Sequence, residues 1–75
     1  MDDAALQDLK HKATIAMSAE RDTSCTTARV VAEGAYFVAH AAMMQATTDV
    51  EVERLQAAFQ GSMRALRSSM YVAGR

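Results

Sequence analysis

Apolar positions recur along this chain three and four residues apart, the period of one helical face, and two polar clusters interrupt the pattern. The first stretch predicts a helix over about 3–21. Leu6, Leu9, Ala13, Ala16 and Met17 share a thin apolar stripe, and Asp2 or Asp3 can accept bonds from the first free N–H groups. Asp8 and Lys12 form an i,i+4 pair in the favourable order. Asp22 to Thr27 is a run of residues that favour caps and turns, which ends the first helix.

A second helix is predicted over about 26–46. Ala28, Ala32, Ala35, Ala39, Ala42 and Ala46 are spaced 4-3-4-3-4. At about 100° per residue they fall within about 80° of the wheel, a heptad seam of alanine. Such a seam admits a neighbouring helix at the short end of the usual separation. Val31 and Val38 flank it on one side, Tyr36 and Met43 on the other, and Phe37, His40 and Met44 lie roughly opposite. Between residues 23 and 48 only Arg29 and Glu33 carry a charge. A helix apolar on all sides needs more than one neighbour, supplied by the other two helices or by another copy of the chain.

Thr48-Asp49-Val50-Glu51 has the capping-box spacing, with Thr48 as cap and Glu51 reaching back. The third helix is predicted over about 49–73, with Val52, Leu55, Phe59, Met63, Leu66, Met70 and Ala73 in one stripe and Gly74 as the stop. Acids sit at its start and arginines near its end, in the order the helix dipole favours. The short connection predicts a long antiparallel hairpin of helices two and three with helix one beside it. The expected fold is thus all-α, one small helical domain over 1–75 in a three-helix arrangement.

Composition adds the need for support. The chain has 75 residues, 16 of them alanine and six methionine, with no proline. A domain this small hides only about 60% of its unfolded surface. One cysteine, Cys25, allows no internal disulfide, so completion of the fold by self-association is expected. The acidic start Met1-Asp2-Asp3 is unlike a signal peptide, and Val30 to Ala46, interrupted by Glu33 and His40, is a poor membrane span. A cytoplasmic place without membrane contact is the expectation. Net charge −1 disfavours a dedicated nucleic-acid binder.

No chemistry-bearing constellation emerges, so no enzyme, cofactor or metal is expected. His11 and His40 are the only histidines, too few for the usual ligand sets. His40 with Met43 and Met44 reads as packing at an interface or core edge, where acid titration would weaken assembly. Arg64, Arg67 and Arg75 near the end of helix three read as a solvated turn or as a docking face for an acidic partner. Gly34 reads as a site of close helix approach. The layout resembles small bacterial helper proteins, including type III secretion co-chaperones of similar length; no motif carries the resemblance, so it assigns no residue a role.

The function expected is a non-catalytic protein–protein interaction module, a small adaptor, chaperone-like or inhibitor protein. It would bind itself or another protein through the alanine seam or through the Tyr36, Phe37, Met43 and Met44 side, with Phe59 and the arginines beside it. The alternatives are a small regulator contacting nucleic acid through the C-terminal arginines, and a ligand- or metal-binding bundle with a pocket between subunits.

Overall fold

The computed structural model describes residues 2–23 and 26–73, with side chains over 2–23 and 28–69. Three helices account for nearly all of it: α1 (Asp3–Asp22), α2 (Thr26–Gln45) and α3 (Asp49–Ala73). Each packs against both of the others, and no strand occurs among the described residues. The three form an elongated body of 48 × 17 × 15 Å. Cys25, Gly74 and Arg75, and the side chains of Met70 and Ala73, lie outside the described residues.

The helix ends follow from local bonding. Asp2 Oδ1 accepts the Ala5 N–H at 2.7 Å and starts α1. At its end the Thr23 N–H donates to the Ala19 carbonyl and the Thr23 hydroxyl to the Glu20 carbonyl. Thr48 caps α3, its Oγ1 accepting the Glu51 N–H at 3.2 Å. Glu51 does reach back, but its carboxylate accepts from the Thr47 and Thr48 hydroxyls rather than from the Thr48 backbone. Both versions place an acid over the free N–H groups of the first turn.

The core is built from small and flexible side chains. Ala13 and Met17 of α1, Ala32 and Met43 of α2, Ala46, and Val52, Phe59 and Met63 of α3 form one buried cluster. Leu6, Leu9, Leu55 and Leu66 close its ends and edges. Among the described residues Phe59 is the one aromatic side chain fully inside, and its ring meets Tyr36 edge-on at 6.0 Å. The stripe of α1 differs from its sequence reading in one place. Lys10, which shares a helical phase with Leu6, Ala13 and Met17, is buried with them.

Truncating Phe59 tests where this core is centred. Phe59→Ala should remove about 3–5 kcal/mol, a large part of the roughly 4–11 kcal/mol expected for a chain of this length. Urea unfolding followed by circular dichroism reads the loss. A change below about 1 kcal/mol would show that α3 is not anchored there.

Candidate functional site

The alanine seam of α2 is divided between two roles. Ala28, Ala32 and Ala46 are buried, and Ala35 and Ala39 are half-buried. Ala42 is exposed. Met43 and Phe59 are buried as well, so four of the expected interaction residues, Ala28, Ala32, Met43 and Phe59, are spent inside the chain's own core. Tyr36 and His40 are half-buried on the α1 side, stacked at 5.5 Å.

The outer side of α2 is different. Val30 is 76% exposed, Phe37 74%, Val38 69% and Val31 57%. Together with Gly34 and Ala41 these residues fall within roughly 120° of the helix, with Met44 and Ala42 at the margins. No charged residue lies in that arc; Arg29 and Glu33 sit at its α1 edge and pair with each other at 3.5 Å. One flank opens into a groove of about 510 Å³ between α2 and α3. Its walls are mostly small or apolar: Ala35, Ala39 and Ala42 on α2, Leu55, Ala58 and Ser62 on α3, with Val31 and Val38 at the rim.

Gly34 is at the middle of this face. A Cβ built there meets nothing within 4 Å, so no neighbour in its own chain requires a glycine. The close approach expected at this position does not occur within the chain.

The other flank of α2 carries the polar groups. A cleft of about 230 Å³ lies between α1 and α2, lined by Gln7, Lys10, His11, Thr14, His40 and Met44. Lys10 is 5% exposed, and its Nζ donates to the Met44 carbonyl at 3.0 Å. Among the described residues no carboxylate lies within ion-pair distance of it. It serves the free carbonyls at the end of α2, where no residue of positive φ provides a cap. The sequence signal for this lysine was its phase on the α1 stripe.

Arg21 closes the far side of Tyr36, with its guanidinium 4.4 Å from the ring centre. The hydrogen bond to Asp22 raises the Arg21 pKa above its ordinary value. Ser18 donates to the Tyr36 hydroxyl at 3.1 Å, and Tyr36 thereby touches all three helices.

Of the C-terminal arginines, Arg64 and Arg67 are exposed, Arg67 pairs with Glu20 of α1 at 2.9 Å, and Arg75 lies outside the described residues. Among the described residues, no three His, Cys, Asp or Glu side chains gather as metal ligands. No helix there is long and apolar enough to cross a membrane. Comparison with protein-family models, curated proteins and solved structures gives no match.

Lys10→Met keeps the aliphatic stem and removes the ammonium. The Met44 carbonyl then loses a charge-assisted bond, and stability should fall by about 1–3 kcal/mol. Chemical denaturation measures this; a variant as stable as the parent would show that the buried ammonium adds nothing to the join of α1 and α2.

Proposed function

We propose that this chain is a non-catalytic protein–protein interaction module whose docking surface is the outer face of α2 with the groove beside it. The observation that carries this is the exposure of large apolar side chains on one face. α2 turns Met43, Tyr36 and several alanines toward its neighbours and leaves Phe37, Val30, Val31 and Val38 in water. Burying a valine or phenylalanine side chain stabilises by about 1.5–3 kcal/mol. Four such side chains left outside forgo roughly as much as the whole domain's stability. A lone bundle gains nothing from that arrangement, whereas a surface that must bury itself against another molecule depends on it. The same reading takes α2 and α3 as antiparallel arms of a hairpin, joined by the three residues between Gln45 and Asp49.

An apolar fluorescent dye tests whether the face is open. At high dilution the parent chain should bind the dye, and the triple variant Val31→Glu, Phe37→Glu, Val38→Glu should bind it several-fold less. The variant should keep the parent's helical circular dichroism, because these side chains are exposed in the fold. A parent chain that binds no dye overturns the docking face. Unfolding of the triple variant would place the three residues inside the fold.

A second reading draws on the α1–α2 cleft. A buried lysine without a carboxylate, beside His11 and His40, suits a small anion such as phosphate. Inorganic phosphate should then raise the melting temperature in the parent but not in Lys10→Met. Equal shifts in both would leave the cleft a structural join only.

A further inference from the structure

Resting on the docking-face reading, we infer that the occupant of the outer face of α2 is a second copy of this chain, seated with its own α2 against the first about a two-fold axis. Area is the first argument. Val30, Val31, Phe37, Val38 and Met44 leave on the order of 600 Å² of surface in water. That is at the upper end of the largest apolar patch a typical monomer shows, and it matches what each partner of a stable small interface buries, about 600–800 Å². Full cover of this face would reach the lower end of what a dimer needs.

Charge is the second argument. An acidic or basic partner finds nothing to pair with across this arc, since Arg29 and Glu33 stand at its edge and already face each other. The surface that complements an uncharged apolar face is another uncharged apolar face. Among the described residues α2 carries the largest cluster of exposed bulky apolar side chains; Ile15 and Val50 stand on the other two helices. An isologous pairing uses one patch twice and needs no second surface.

Shape is the third. Gly34 and Ala41 lie one heptad apart on either side of Phe37 and Val38. The open space over the Gly34 Cβ position lets a helix from outside come close, which nothing inside the chain does. The rim valines of one copy stand beside a groove walled by alanine and serine on the other, which offers room for protruding side chains.

Light scattering on the full chain, over a micromolar to millimolar series, tests this directly. The expected mass rises to twice 8.1 kDa with concentration. Val38→Glu should hold the chain at the monomer mass with unchanged helical content. Gly34→Leu is the sharper variant. It has free space in its own chain and replaces a poor helix former, so its melting temperature at high dilution should not fall. Its dimer should nevertheless be weakened by at least about tenfold, because the added side chain props the two helices apart. Lys12→Glu, on the exposed side of α1, should dimerise as the parent does.

Parent chain that stays monomeric throughout overturns the second copy as occupant. If that monomer still binds the apolar dye, the docking face stands and its partner is a different protein. If it does not, both readings fall. A dimer unaffected by Val38→Glu and Gly34→Leu would assemble through another surface and would equally overturn the proposal.

Discussion

The small side chains on the inner side of α2 set much else in this molecule. α2 meets its neighbours through Ala28, Ala32, Ala35 and Ala39 with Tyr36 and Met43 beside them, and the body is only 17 × 15 Å across. A thin interior has little room for large side chains. Among the described residues it accepts Phe59 and the methionines Met17, Met43 and Met63, whose unbranched chains fill irregular gaps. Val30, Val31, Phe37 and Val38 of α2 are left on the far side of the helix. Alanine inside and Phe37 and the valines outside are two consequences of one residue pattern.

Around that core, specificity comes from a few polar joins. Tyr36 receives the Ser18 hydroxyl, lies under Arg21, stacks on His40 and meets the edge of Phe59. It fixes the rotation of α2, because turning the helix by one position would break the contacts with Ser18, Arg21 and Phe59 together. Arg67 with Glu20 ties α3 to α1, and Arg29 with Asp22 ties the end of α1 to the start of α2. These pairs are largely exposed and weak singly, so they select an arrangement more than they stabilise it.

Much of the fold was legible in the sequence, because a helical period is a local signal. The stripe from Val52 to Leu66 and the cap at Thr48 need only neighbours within four residues, and the structure has both. What was not legible depends on which direction each face looks. The alanine seam was readable as a seam, yet nothing local says that Ala28 and Ala32 meet the chain's own helices while Ala42 borders an open groove. Met43 and Met44 are adjacent and equally apolar; a turn of about 100° puts the first in the core and the second at a cleft. Lys10 drew no attention in the sequence for another reason. Residue type suggests solvent, and only the tertiary need of the α2 carbonyls explains a buried ammonium. Gly34 was expected to mark close helix approach, and no other helix of its own chain comes within 4 Å of its Cβ position.

That last point bears on stability as much as on binding. Any molecule that covers the outer face of α2 binds the folded chain and not the unfolded one, so occupancy raises apparent stability by mass action. For a domain of this length a few kcal/mol of such linkage would be a sizeable part of the net stability. Alanine fixes the inner half of α2 and makes the bundle possible, and the same choice leaves the outer half short of cover. A substitution that enlarged the inner face would disturb the bundle, while one that made the outer face polar would free the bundle from any occupant. The two faces are separable by chemistry even though one helix carries both.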